Sequence, residues 1–345
     1  MFRRLSLVAV VLIVAPFLIS PPGAGAAGSS YVALGDSYSS GVGTRSYIDD
    51  GTSCQRSVYA YPSLIAAAKG YALNFRACSG AKVSTVTSGQ LSALSTSTAY
   101  VTISVGGNDA GFTDVLTECA LPAWASNCSG AVTTARNYIN NTLPGSLATL
   151  YASIKAKAPN AKVVTVGYPR IFNGEDCNAF TWFSPDDESR LNGAADLINT
   201  KISAAASAKG FGFVNPTTAF TGHAVCDNTE WLNGLSNPVT ESYHPNRTGH
   251  ASGYTPLVSP KLIGATVAVT SAVTARAASS ADTLAAVQRR YAAGDAKIRP
   301  ELFIAPDLTS AAVKAAARRA GVDLNSRASI DRVDREYAAA QAKAR

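Results

Sequence analysis

The stretch YVALGDSYSSGVGT, residues 31–44, sets a short apolar run against Gly35-Asp36-Ser37 and then a loop rich in serine and glycine. Three chemistries fit it: an ordinary turn, a phosphate-cradling loop, or a serine held at the carboxyl end of a strand for nucleophilic attack. A phosphate loop requires a Lys-Ser/Thr ending, or a glycine-spaced turn that opens a helix with an acidic partner downstream. Gly41-Val42-Gly43 has no third glycine and no lysine beside it. A turn accounts for Gly35 and Asp36 but makes no demand for Ser37. A nucleophile does, and it needs a general base within hydrogen-bond reach and donors where an oxyanion develops.

Three histidines are available as the base, His223, His244 and His250. His244 stands late in the chain in Glu241-Ser242-Tyr243-His244-Pro245-Asn246. Pro245 restricts it to an extended backbone, which suits a base carried on a loop. His223 and His250 read as ordinary hydrogen-bonding residues. Donors follow two other strand-like runs. Gly106-Gly107-Asn108-Asp109 lets the backbone approach a ligand and offers the Asn108 amide, and Cys78-Ser79-Gly80 leaves the Gly80 amide free to face a cleft. With the Ser37 amide these make a three-donor oxyanion hole.

The elements that must position these groups are strand-like runs at 31–34, 72–76, 100–105, 162–168 and 212–215. Helix-length segments at 61–69, 131–158 and 188–209 lie between them. Alternation of this kind predicts an α/β domain with a mostly parallel sheet, whose sites form outside the carboxyl ends of the strands. Long loops at 108–128, 171–185 and 223–255 carry Trp124, Trp182 and Trp231 and read as binding walls.

Residues 1–27 read as a secretory signal peptide: Arg3 and Arg4, an apolar run broken by Pro16, then Ala24-Gly25-Ala26 as a cleavage site. The expected location is extracellular. Six cysteines in an exported chain imply disulfides, with 15 possible connectivities, and their spacings do not match a zinc site. The net charge of +7 is unevenly spread. Residues 28–262 hold 15 Lys+Arg and 15 Asp+Glu, whereas 263–345 hold 13 and 8. A neutral main domain argues against nucleic-acid binding. Residues 275–345, rich in Ala, Arg and Asp, read as a helical extension with segments at 281–293, 308–320 and 330–344, set apart from a catalytic domain at 28–274. Asp307 is expected to cap the second segment, and Gly321 to end it. The extension reads as a solvated helical tail or a partly disordered appendage, or as an attachment to anionic wall or membrane.

Gly35-Asp36-Ser37-Tyr38-Ser39, Gly80, Gly107-Asn108-Asp109 and His244-Pro245-Asn246 resemble, in order, the four blocks of the SGNH (GDSL-type) hydrolases, especially the secreted esterase and lipase branch of actinobacteria. The resemblance covers about residues 30–262, and no Gly-x-Ser-x-Gly elbow occurs. It implies a flavodoxin-like three-layer α/β/α sandwich with strand order 2-1-3-4-5. It implies Ser37 as nucleophile, His244 as base, and Ser37, Gly80 and Asn108 as oxyanion donors. It also implies disulfides pairing Cys54 with Cys78, Cys119 with Cys128, and Cys177 with Cys226. The family often has Asp three residues before the histidine, where this chain has Glu241. Either Glu241 or the Ser242 carbonyl is then expected to orient His244.

The expected reaction is carboxylic ester hydrolysis by a monomer, with no metal or organic cofactor. Asp49-Asp50 and Asp186-Asp187-Glu188 read as solvated or helix-capping rather than metal-binding. Tyr38, Phe112, Trp124, Phe172, Phe180, Trp182, Phe183 and Tyr243 are expected to wall the site, favouring lipid or acyl esters. A carbohydrate O-acetylesterase, with the rings stacking on sugars, and a non-catalytic surface protein acting through its basic tail are the alternatives.

Overall fold

The computed structural model describes residues 28–343, so the signal peptide expected at 1–27 lies outside the described residues. Five parallel strands, β1 (Ser30–Gly35), β2 (Ala72–Phe75), β3 (Tyr100–Ser104), β4 (Lys162–Val166) and β5 (Gly212–Val214), form one sheet in the order 2-1-3-4-5. This is the order implied by the resemblance. The strands read as near-continuous apolar runs because both faces are covered. Tyr31 and Ala33 of β1 pack into the core on one face, Val32 and Leu34 into the core on the other.

Helices Tyr61–Lys69 and Thr255–Ile263 bury Leu64, Ile65 and Val258 against the first face. Val83–Gly89, Leu143–Lys157 and the carboxyl half of Pro185–Ser207 cover the second with Val86, Leu147, Leu150 and Ile198. The helix expected over 131–158 is two, Cys128–Asn141 and Leu143–Lys157. Pro144, which lacks an N–H and clashes with the preceding turn, is best tolerated in a first helical turn, and it stands in the first turn of the second helix. Cys54–Cys78, Cys119–Cys128 and Cys177–Cys226 are the disulfides, the pairs that the resemblance implied. Among the described residues no helix is long and apolar enough to cross a membrane.

The C-terminal region is helical but is not a solvated tail. The boundary expected at 274/275 falls inside a helix, Ser271–Ser279, and Ala281–Arg289, Ala292–Asp295, Ala311–Ala320 and Arg327–Lys343 follow. Asp295 is buried, and its carboxylate receives Arg56 Nη2 at 2.6 Å and Arg76 Nη2 at 2.6 Å. Helix Ala311–Ala320 and helix Arg327–Lys343 place Val313, Ala316, Ile330 and Val333 around Trp124 and Trp182. Ser310, not Asp307, caps the first of these two helices. Asp307 instead accepts from the Thr309 amide and hydroxyl, a local turn that competes with capping. Gly321 ends the helix in the left-handed conformation, as expected. Composition misses the docking because the decisive contacts join residues more than 130 positions apart.

Candidate active site

The β1–β3 register sets Gly35 opposite Ser104, bringing the two strand ends together. Gly35 leaves the strand at φ +119°, where a Cβ would lie 2.2 Å from the Ser104 carbonyl oxygen, so only glycine lets the chain turn here. Gln90, wholly buried, clamps this end by accepting from Gly35 N at 2.7 Å and donating to Gly35 O at 2.9 Å. Asp36 then caps the short helix Ser37–Ser40, accepting from Tyr38 N at 3.1 Å. Its carboxylate also receives the Ser104 hydroxyl at 2.6 Å and the Tyr168 hydroxyl at 2.5 Å, joining the ends of β1, β3 and β4. Burial raises its carboxyl to about 6, and these donors oppose the rise. Gln90 and Tyr168 carry no sequence signal that separates them from ordinary core residues.

His244 is carried on a loop pinned by an antiparallel bridge between Leu232 and Pro245. Tyr243 N donates to Asn233 O and Asn233 N to His244 O, each at 2.9 Å. Tyr243 adopts a left-handed backbone, φ +60°, and its carbonyl receives the Tyr38 hydroxyl at 2.8 Å, tying this loop to the Ser37 helix. His244 Nε2 then stands 2.8 Å from Ser37 Oγ, and Nδ1 stands 2.9 Å from the Ser242 carbonyl oxygen. Burial pulls the imidazole down to about 4, partly offset by the Ser242 carbonyl, so it is neutral at pH 7.

Glu241 is not joined to His244. Its carboxylate accepts the Tyr47 hydroxyl at 2.6 Å and lies 3.6 Å from Arg45 Nε. The extra methylene carries the acid to another partner, and the Ser242 carbonyl occupies the orienting place. His250 is wholly buried, accepts from Tyr61 N at 3.3 Å and is held neutral, pulled down to about 3 by burial. His223 stacks on Trp231 at 3.7 Å. Neither lines the cavity that holds Ser37.

Asn108 lines the same cavity as Ser37 and His244 and donates one Nδ2 hydrogen to Ala81 O at 3.0 Å, leaving its second for a ligand. Among the described residues no protein acceptor faces the Ser37 or the Gly80 amide. Gly80 lies outside the cavity lining, buried beneath the backbone of Arg299 and Pro300. Of the aromatics expected to wall the site, Tyr38, Phe112 and Tyr243 line the cavity. Phe172 and Phe183 back Tyr243 from behind, at 5.8 and 5.7 Å. Trp124 and Trp182 do not wall the site, because helix Arg327–Lys343 covers their indoles, and Phe180 is exposed. Ile171, Leu116 and Ile198 complete an apolar lining.

For metal binding, the described residues offer one grouping of possible ligands, Cys177, Cys226 and Glu230, and both sulfurs are tied in a disulfide. Asp50 accepts Arg56 Nη1 at 2.5 Å, and Asp186, Asp187 and Glu188 lie in the first turn of helix Pro185–Ser207. A thiolate is the form of cysteine that binds metal, and none is free here.

Residues 33–252 match the GDSL-like lipase/acylhydrolase family. Lipase 1 of Streptomyces coelicolor is 46% identical over 68% of this chain and 87% of its own length, and a lipase of Streptomyces rimosus is 43% identical over 67% and 85%. The crystal structure of phospholipase A1 from Streptomyces albidoflavus NA297 superposes with a TM-score of 0.65 at 43% identity, covering 68% of this chain and all of that one. That of an extracellular lipase from Streptomyces rimosus gives 0.64 at 41%, covering 68% and 99%. With its Ser37–His244 pair at the carboxyl edge of a 2-1-3-4-5 sheet, the chain belongs to the GDSL-like lipase/acylhydrolase family.

Proposed function

We propose that the protein is an exported ester hydrolase acting on acyl or lipid esters, with Ser37 as nucleophile and His244 as base, working as a dyad. The observation that carries this reading is the 2.8 Å contact between Ser37 Oγ and His244 Nε2 within an apolar cavity. A carbonyl oxygen only accepts, so Ser242 O holds the imidazole proton on Nδ1 and leaves the Nε2 lone pair for the Ser37 hydroxyl. Ser37 Oγ attacks the ester carbonyl while Nε2 takes its proton. Collapse of the tetrahedral intermediate expels the alcohol, which recovers the proton from Nε2 and leaves an acyl-enzyme. Water, deprotonated by the same nitrogen, then releases the acid. The Ser37 amide and Asn108 Nδ2, both on residues that line the cavity, serve as oxyanion donors, one such donor being worth about 3 kcal/mol of barrier.

The apolar lining favours an acyl chain over an acetylated sugar, and the similar Streptomyces proteins are named lipases and a phospholipase. Export rests on the leader-like residues 1–27 and on the resemblance to an extracellular lipase. Hydrolysis of p-nitrophenyl esters from acetate to palmitate, beside acetylated xylan, tests the reading. Butyrate or a longer chain is expected to be preferred, with a fluorophosphonate adduct on the Ser37 peptide. Preference for acetylated xylan, or an adduct elsewhere, would sink it.

The pH dependence follows from burial of His244. The base works only when neutral, so activity is lost as pH falls through its folded-state value, about 4. The acid limb of kcat/KM is expected near pH 4, not near the pH ~6.5 of a free imidazole. A limb near 6.5 that persists in Asp36→Asn would show a water-exposed base and contradict the buried geometry.

A further inference from the structure

We propose that Phe303, from the C-terminal extension, is a specificity-determining residue of the ester site, forming a wall of the acyl cavity that limits the chain admitted. This deepens the proposed function and rests on it. The extension sends residues 298–305 over the site as a strap without regular secondary structure. Upstream, Asp295 anchors the strap through Arg56 and Arg76. Downstream, Val313 and Ala316 fix it on the cluster around Trp124 and Trp182.

Along the strap the side chains alternate. Leu302 and Ile304 face solvent at 45% and 64% exposure, whereas Phe303 between them is 4% exposed. Its ring meets Tyr243 edge-on at 4.9 Å, beside the base, and lines the same cavity as Ser37, Asn108 and His244. An ion pair from Lys82 to Glu301 at 2.6 Å, and an Ile304 N to Thr117 Oγ1 bond at 3.1 Å, hold the ring's two flanks. Arg299 passes so close to Gly80 that a Cβ there would stand 1.9 Å from its carbonyl oxygen. The inward ring is therefore set by contacts on both sides and is not a loop tip resting on the surface. Phe303 lies beyond residue 252, where the family match ends, so this wall is an addition to the family's shared scaffold. A phenyl ring in the wall of an apolar cavity excludes methylenes by volume, and each excluded methylene changes relative kcat/KM by roughly an order of magnitude.

The test uses the full chain with Phe303→Ala and Phe303→Trp. The readout is the ratio of kcat/KM for p-nitrophenyl decanoate to that for the acetate. Phe303→Ala is expected to raise the ratio at least about 10-fold and Phe303→Trp to lower it. Decanoate and butyrate binding by calorimetry in a Ser37→Ala background reads the same wall without turnover, and the ratio of their Kd values is expected to move in the same directions. Melting curves of the variants report folding, and the tryptophan variant keeps the apolar anchor if the alanine one loosens. Ratios unchanged in both variants, in turnover and in binding alike, overturn the wall. Hydrolysis that survives Ser37→Ala overturns the catalytic reading instead, leaving the binding ratios to judge Phe303.

Discussion

Replacing Ser37 with alanine, or His244 with alanine, is expected to lower kcat by on the order of 10⁶, each alone costing nearly as much as both together. In the proposed dyad the two groups act as a unit, because the hydroxyl is a weak nucleophile until Nε2, 2.8 Å away, takes its proton. What survives should come from the oxyanion donors and cavity binding. Glu241→Gln is the contrast. That carboxylate binds Tyr47 and Arg45, not the imidazole, so kcat should stay within about 10-fold of wild type. Steady-state kinetics on the preferred p-nitrophenyl ester checks all three. A collapse in Glu241→Gln as deep as in His244→Ala would mean that the acid reaches the histidine during catalysis, and the dyad would have to be given up.

Asp295→Ala is expected to destabilise the fold by about 3–5 kcal/mol, the usual cost of removing one partner from a buried ion pair. Here one carboxylate serves two guanidiniums. It receives Arg56 Nη2 at 2.6 Å and Arg76 at 2.6 and 3.0 Å, with all three side chains fully buried. Arg56 would keep Asp50 and the Ala77 carbonyl, but among the described residues Arg76 would keep only Gln288 and the face of Tyr291. Burial already lowers the Arg76 pKa against the support of Asp295, so that arginine bears most of the loss. Thermal unfolding should show a fall of roughly 10 °C. Asp282→Ala, on an exposed helix turn of the same extension, should cost less than about 1 kcal/mol. Equal effects at the two positions would show that the extension does not seal the arginines.

The legible part of the site is the part carried by short runs. Gly35-Asp36-Ser37 and Gly106-Gly107-Asn108 are each adjacent to an apolar strand, so chain order alone puts them at the same sheet edge. His244 is legible because histidines are few and Pro245 restricts its backbone. The orienting partner was not legible: Glu241 and the Ser242 carbonyl are one residue apart, and only the left-handed turn at Tyr243 and the pull of Tyr47 separate them. The aromatic wall was half legible. Sequence places rings on loops but not on one side of a loop, so Tyr38 and Tyr243 meet the cavity while Trp182 turns to Asp331 of the extension.

The sequence by itself determined the alternating architecture, the strand ends that carry chemistry, and the nucleophile and base expected there. All of these follow from local periodicity and from residue types that few other roles require. Only the tertiary structure decided that a carbonyl, not a carboxylate, faces His244 Nδ1, that Asp295 neutralises two buried arginines, and that Phe303 enters the cavity. These outcomes depend on which side chains can be desolvated together. In the last two the partners lie dozens to hundreds of residues apart, and an Ala- and Arg-rich composition is equally compatible with a helix in water and a helix packed on a core.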